Sequence, residues 1–260
     1  MAQKKVLNRK QILDKIMQKK EFSQLPRKEV ERVYSRFEGP EYLVEEKIKL
    51  TRELLMKLYT VFLSKKLLNL KERSPEWFLK KHFSTRERFD HYEEIYSRCL
   101  KGLGKKINVF DLGCGVNGFS YDYFPKETNY FGLEIVGQLV ELQNKWFKKE
   151  KKKAACVQES LFNLKKVKEF LKKRKGKKIV FLFKTLDSLE KLEKDYSKKL
   201  LIEVSKLVDK VVVSFATRSL IKKRDFLAKR NWLKDFIKDN FKILDEFEFE
   251  GEKYICFKKK

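Results

Sequence analysis

The sequence predicts an α/β fold, a mostly parallel seven-stranded sheet carried behind an all-α N-terminal region. Three observations lead there. The first hundred residues show helical periodicity only, the stretch from residue 107 alternates short β-rich runs with helical ones, and the chain closes on two β-rich runs joined by Gly251-Glu252. Apolar residues recurring every three or four positions mark a helix with one buried face, whereas short runs of branched and aromatic residues mark buried strands.

From about Asn8 to Lys20, residues Ile12, Leu13, Ile16 and Met17 fall on one helix face. Pro26 opens a second helix, striped by Val30, Val33, Tyr34 and Phe37, because its fixed φ suits a first turn. Gly39-Pro40 ends it, and a longer stripe follows through Leu43, Ile48, Leu54, Leu58 and Phe62. Ser74-Pro75-Glu76 reads as an N-cap and first turn. Ser84-Thr85-Arg86-Glu87 has the S-x-x-E form of a capping box, which predicts a helix from there to about Gly102. Gly102, with Gly104, is the expected stop and the junction between residues 1–102 and 103–260.

Five candidate strands follow, Asn108–Leu112, Tyr130–Glu134, Ala155–Glu159, Ile179–Lys184 and Val211–Phe215, most of them succeeded by a helical stretch. Such alternation implies a parallel sheet covered on both faces. Lys242–Glu250 and Tyr254–Lys258 read as a closing antiparallel hairpin.

The chain carries 63 Lys plus Arg against 37 Asp plus Glu, a formal charge of +26 with a pI near 9.7. Lysine-rich composition and surface ion pairing would predict near balance between the signs. The excess, spread over the whole chain, implies a polyanionic partner such as nucleic acid. Cys99, Cys114, Cys156 and Cys256 form no CxxC or Cys/His cluster, so no metal site is expected. The N-terminus does not resemble a signal peptide, and apolar runs such as Ile179–Phe183 are too short to cross a bilayer, so a soluble, reduced, cytoplasmic monomer without membrane contact is expected.

The run Val109-Phe110-Asp111-Leu112-Gly113-Cys114-Gly115-Val116-Asn117-Gly118 sets a G-x-G-x-x-G turn directly after the first strand. Glycine there lets the chain turn sharply and a ligand approach the backbone. Glu134 ends the next strand, where an acid can accept both hydroxyls of a ribose. The pattern makes the sheet Rossmann-like and also fits a nicotinamide or flavin enzyme, or a purely structural turn. Two features favour a class I S-adenosylmethionine-dependent methyltransferase: the acid Asp111 before the turn, and the terminal hairpin, which nucleotide-binding Rossmann domains do not usually carry. Asp111, Gly113, Gly115, Asn117 and Glu134 are therefore the expected cofactor-binding residues.

Further segments resemble the ribosomal RNA methyltransferases that confer aminoglycoside resistance by modifying a guanine N7 in the small subunit. His82-Phe83-Ser84-Thr85-Arg86-Glu87-Arg88 is similar to that family's H-x-S-T-[KR]-E-R, Phe183-Lys184-Thr185-Leu186-Asp187-Ser188-Leu189-Glu190 to its F-K-x-L-x-x-L-E, and Ser214-Phe215-Ala216-Thr217-Arg218-Ser219-Leu220 to its S-F-P-T-R-S-L. The match spans about residues 82–260. It implies S-adenosylmethionine as cofactor, Arg86 on the cofactor carboxylate, Glu159 near the adenine, and Lys184 and Arg218 as catalytic residues holding the target nucleotide. An ion pair of Lys184 or Arg218 with a neighbour such as Asp187, a solvated Arg86 beside a helix start, and a solvated cap for Glu159 are the structural alternatives. By the same resemblance residues 1–102 form a basic helical RNA-binding domain, residues 103–260 the catalytic domain, and the partner is small-subunit ribosomal RNA. The chain departs from the pattern at Ala216, at Ile221-Lys222 and at Gly118, which leaves the target base open.

Guanine N7 is already a lone-pair nucleophile, so its methylation needs alignment and no general base. That agrees with a sequence whose only histidines, His82 and His91, precede the glycine turn. The basic stretches Lys4–Lys20, Lys145–Lys153, Lys165–Lys178 and Lys222–Arg230 would meet phosphates. Two rivals stand beside this reading: a methyltransferase of transfer RNA or another small RNA, and a non-catalytic RNA-binding or assembly factor.

Overall fold

The computed structural model describes residues 7–60, 67, 73–218 and 230–260. Phe62, Ser219-Leu220, Ile221-Lys222 and parts of the Lys4–Lys20 and Lys222–Arg230 stretches lie outside the described residues.

Helix α1 (Arg9–Met17) starts at Asn8, whose side chain accepts from Gln11 N at 2.9 Å while Gln11 accepts from Asn8 N at 3.0 Å, a reciprocal cap. Pro26 precedes α2 (Arg27–Tyr34), and α3 (Val44–Leu55) continues into a π-helical turn, Met56–Thr60. Ser74 caps α4 (Pro75–Lys81) by accepting from Trp77 N, with Pro75 in the first turn.

The expected helix from Ser84 to Gly102 is broken. Helix α5 (Phe83–Arg86) holds Ser84 inside it, a 3₁₀ turn covers Phe89–His91, and α6 (Tyr92–Leu100) follows. Ser84 Oγ accepts from Arg88 at 2.6 Å and Glu87 pairs with Lys184, so both ends of the presumed capping box are taken by tertiary partners.

The seven strands are β1 (Ile107–Leu112), β2 (Asn129–Glu134), β3 (Ala154–Gln158), β4 (Lys177–Phe183), β5 (Lys210–Ala216), β6 (Phe241–Phe249) and β7 (Glu252–Lys259). They form one sheet in the order β3-β2-β1-β4-β5-β7-β6, with β7 antiparallel to both neighbours. Between strands run α7 (Gly137–Lys149), α8 (Leu164–Lys172), α9 (Leu186–Leu192), α10 (Tyr196–Ser205) and α11 (Asn231–Asn240).

Alternate residues of the central strands serve two apolar layers. On one face Val109, Tyr130, Ile179, Phe181 and Val212 pack in one cluster with Leu13, Val30, Leu55 and Phe78 of the N-terminal helices. On the other, Phe110, Leu133, Val180 and Val213 pack against Val167, Leu200 and Ile237 of α8, α10 and α11. The connections after β1 and β4 run to opposite sides, which opens a crevice at the carboxyl ends of these neighbouring strands. Among the described residues no helix is long and apolar enough to cross a membrane, and no group of three or more His, Cys, Asp or Glu is placed to hold a metal ion.

Candidate active site and cofactor cavity

A cavity occupies that crevice, lined from the turn after β1, the ends of β2 and β4, and Leu58 and Tyr59 of the N-terminal helices. Its floor is the turn after β1. Gly113 and Gly115 have φ of 80° and 55°, and a Cβ on Gly113 would lie 2.9 Å from the Thr185 side chain, so the turn needs glycine for its backbone and for its packing.

Glu134, at the end of β2, clamps this turn. Its Oε2 accepts from Gly115 N at 2.8 Å, and Oε1 accepts from Ile135 N and Val136 N at 2.9 Å each. A carboxylate offers about four lone-pair sites, so capacity for one further donor remains. Burial pushes the Glu134 carboxyl up, against the three backbone donors that favour its ionised form.

Asp111 is buried beneath the turn, where Oδ2 accepts from Asn117 Nδ2 at 2.8 Å and Tyr130 Oη at 2.9 Å. Burial raises its carboxyl to about 6, with both donors and Arg88 pulling the other way. Asn117 is saturated: Nδ2 also donates to Tyr96 Oη at 3.1 Å, and Oδ1 accepts from Arg88 and Tyr92, each at 2.9 Å. Its side chain therefore orders the loop although it lines the cavity.

Lys184 follows β4 with φ of 56°, a strained conformation for lysine, held by donation of its N–H to Ser214 O and Oγ at 3.0 and 3.1 Å. That twist places it on the cavity wall. Its ammonium pairs with Glu87 and, at 3.1 Å, with Glu252 Oε2. Asp187, the partner weighed from sequence, instead takes Arg230 at 2.6 Å.

Arg86 and Arg88 part company. Arg86 is exposed, its guanidinium over the Phe83 ring at 5.2 Å, and it does not line the cavity. Arg88 does line it and is buried, donating to Glu252 Oε2 at 3.1 Å and Asn117 Oδ1 at 2.9 Å. Arg218 is likewise exposed at the end of β5, packed beside Gly251 and outside the cavity lining. Glu159 does line it, accepting from Ser160 N at 3.0 Å and Asn163 Nδ2 at 3.3 Å.

The structure adds cavity residues to which the sequence reading gave no site role, although His82, Ser84 and Arg88 stand at fixed positions of the motif quoted for that segment. The four-residue spacing of Ser84 and Arg88, which Arg86 does not share, was a second signal. Glu252 sits in what reads as a hairpin turn, yet it is fully buried. Burial alone would raise its carboxyl, but Arg88, Lys184 and the Ser214 hydroxyl hold it below the ordinary value. His82 lines the cavity against Gly115, and burial, with Arg88 and Lys184 adding repulsion, lowers its imidazole to about 3. Tyr59, from the π-helical turn after α3, lines it too.

The sequence model of the family described as ribosomal RNA methyltransferase (FmrO) matches residues 74–235, more than half of the chain. The chain belongs to this family. Solved structures agree on the fold. A 16S rRNA methylase, RmtB, superimposes with a TM-score of 0.77 at 18% identity, covering 98% of this chain and 100% of that one. The 16S rRNA methyltransferase RmtF, in complex with S-adenosyl-L-homocysteine, gives 0.77 at 21% identity over 98% and 100%. An rRNA methylase from Escherichia coli gives 0.75 at 19% over 97% and 100%. In this FmrO-family chain the matched region begins at the cap of α4 and includes the cavity turn, Glu134 and Lys184.

Proposed function

We propose that the chain transfers a methyl group from S-adenosylmethionine to N7 of a guanine in small-subunit ribosomal RNA. Family membership supports an S-adenosylmethionine-dependent methyltransferase of ribosomal RNA, and the relatives RmtB and RmtF are described as 16S rRNA enzymes. When bound, S-adenosylmethionine supplies an electrophilic methyl group on a sulfonium sulfur.

The cavity residues fit that cofactor. Gly113 and Gly115 leave backbone room, Glu134 keeps one lone-pair site for a ribose hydroxyl, and Arg88 offers a guanidinium to an amino-acid carboxylate. Asp111 and Asn117 would act by ordering the turn. Lys184 and Arg218 would hold the target nucleotide, Lys184 from the cavity wall and Arg218 from the surface beside the hairpin.

The observation that carries the choice of N7 is the lack of a suitable base among the described cavity residues. His82 is held neutral down to about pH 3, which makes it a weak base. Glu134, Asp111 and Glu159 are each engaged by two or more donors. Substitution at N7 removes no proton, so aligning nucleophile and methyl group suffices.

The test is to incubate the protein with labelled cofactor and small subunits, then treat the RNA with borohydride and aniline. N7 methylation puts a positive charge on the imidazole ring, so the expected result is a strand cut at one guanine. Label that resists cleavage would move the methyl to another atom. Label found only in transfer RNA would reassign the substrate.

A further inference from the structure

The cavity has a charged end and an aromatic end. Arg88 and Lys184 mark the first. At the second, Leu161 and Phe162 after β3 line the same space as Leu58 and Tyr59, which come from the N-terminal helices. Those two aromatics are linked through α2. Tyr59 Oη donates to Glu29 Oε2 at 3.1 Å, Glu29 is only 3% exposed, Arg32 lies 3.5 Å from it, and the Arg32 guanidinium sits over the Phe162 ring at 4.4 Å.

Further contacts fix the same helices to the same edge of the sheet. Gln138 Nε2 donates to Lys20 O at 2.8 Å, Gln158 Nε2 to Gln24 O, and Arg36 to Leu192 O at the end of α9. A second cleft, lined by Gln24, Leu25, Pro26, Gln158 and Glu159, adjoins this seam.

We propose that Tyr59 and Phe162 hold the purine ring of the cofactor and that Glu29 and Arg32 position the two rings, so that α1–α3 form one wall of the cofactor cavity. The inference rests on the S-adenosylmethionine reading above. A cofactor whose ribose meets Glu134 at the end of β2 extends two ways along the strand ends, toward β3 or toward β4. Its amino-acid carboxylate suits the cationic end beyond β4, where Arg88 and Lys184 sit. Its flat, uncharged purine suits the aromatic end beyond β3, where ring packing adds specific attraction to burial. The basic N-terminal helices thereby belong to the cofactor site as well as to any RNA-facing surface.

The test titrates the full-length protein calorimetrically with S-adenosylhomocysteine and with 5′-methylthioadenosine, which keeps the purine and ribose but lacks the amino-acid carboxylate. Wild-type protein that binds neither would overturn the cofactor reading itself, whatever the variants do. Given wild-type binding, Tyr59→Leu is expected to weaken both ligands about tenfold, the scale of one aromatic contact. Tyr59→Phe, which keeps the ring, stays within about threefold of wild type by the same scale. Arg88→Gln weakens S-adenosylhomocysteine by tenfold or more, the scale of a charge-assisted hydrogen bond, and spares 5′-methylthioadenosine.

For the positioning residue, Glu29→Ala weakens both ligands about threefold and Glu29→Gln, which keeps an acceptor for the phenol, restores them. A purely structural role for Glu29 would lower thermal stability in both variants without that rescue. Should Tyr59→Leu fail to fold, Phe162→Leu carries the same expectation. Wild-type affinity for both ligands in these ring variants, or a loss confined to S-adenosylhomocysteine, overturns the proposal.

Discussion

Arg88 Nε donates to Glu252 Oε2 at 3.1 Å, joining α5's exit to the start of β7 through a pair that is 3% and 0% exposed. Lys184 Nζ reaches the same oxygen at 3.1 Å, and the Ser214 hydroxyl donates to the other. One buried acid thus meets two cavity cations, of which Lys184 also pairs with Glu87. Removing one partner of such a set leaves a buried charge uncompensated, which costs about 3–5 kcal/mol. Glu252→Ala is expected to lower the unfolding free energy by that amount, and Glu252→Gln by less, since its amide oxygen still accepts. Urea denaturation followed by circular dichroism checks it; a loss below about 1 kcal/mol, the range of surface pairs, would show that the cluster is solvated.

The two arginines of the His82–Arg88 segment separate cleanly by exposure. Arg86→Ala is expected to leave S-adenosylhomocysteine affinity within about twofold, because its guanidinium rests on an exposed Phe83, whereas Arg88→Lys should weaken it by about tenfold or more through loss of the planar fork. Isothermal titration of both variants decides between them. The reverse ranking would restore the role that the motif alone gives to Arg86.

Much of this arrangement was legible in the sequence because it rests on local rules. Strands such as β1 and β4 are buried on both faces, so their residues read as continuous apolar runs, and the observed ends differ from expectation by at most two residues. The glycine turn and Glu134 were legible because backbone geometry dictates residue type there. Ser84 and Glu87 misled because a capping box is a local motif, and their partners Arg88 and Lys184 outcompete the local bonds. Glu252 looked like a turn residue since nothing near it in sequence reveals that β5 supplies Ser214 and the α5 exit supplies Arg88. Tyr59 is not singled out by the sequence, because the cavity it lines is built mostly from residues after Ser74. Across the expected junction at Gly102, Leu13 and Val30 share one apolar cluster with Val109 and Phe181.

His82 and Asp111 should give stability two opposing pH dependences. In the unfolded chain His82 takes a proton as pH falls through about 6.5, while in the folded protein it resists until about 3. Its contribution to stability is therefore complete above pH 6.5 and lost as pH falls toward 3, on the order of a few kcal/mol. Asp111 works the other way, because its folded carboxyl binds a proton near 6 and the unfolded one near 3.8. Between those values falling pH favours the folded state by roughly 3 kcal/mol at most, offsetting part of the histidine effect. His82→Asn should flatten the decline in Tm between pH 6.5 and 4, and Asp111→Asn should steepen it. Differential scanning calorimetry across that range tests both signs, and parallel profiles for wild type and His82→Asn would remove the buried neutral imidazole.

The methylation rate itself should be nearly independent of pH from about 6.5 to 8.5. A mechanism that draws a proton from the nucleophile needs a base, and a base titrating near 7 makes the rate rise up to tenfold per pH unit below its pKa. The cavity titrates elsewhere: Asp111 near 6 is committed to Asn117 and Tyr130, His82 near 3 stays neutral throughout, and Glu252 is held ionised by its cations. On the proposed N7 chemistry the nucleophile presents its lone pair without losing a proton, so over this window neither enzyme nor nucleophile would change charge in a way that the reaction uses. Single-turnover rates with saturating cofactor and small subunits, measured at constant ionic strength because phosphate binding is salt-dependent, isolate this step. Lys184→Met should lower the rate at every pH by a common factor, since a positioning cation contributes alignment and field, with no proton transfer. A rate that climbs tenfold per unit in the wild type and loses that climb in one carboxylate or histidine variant would instead identify a general base and a different acceptor atom.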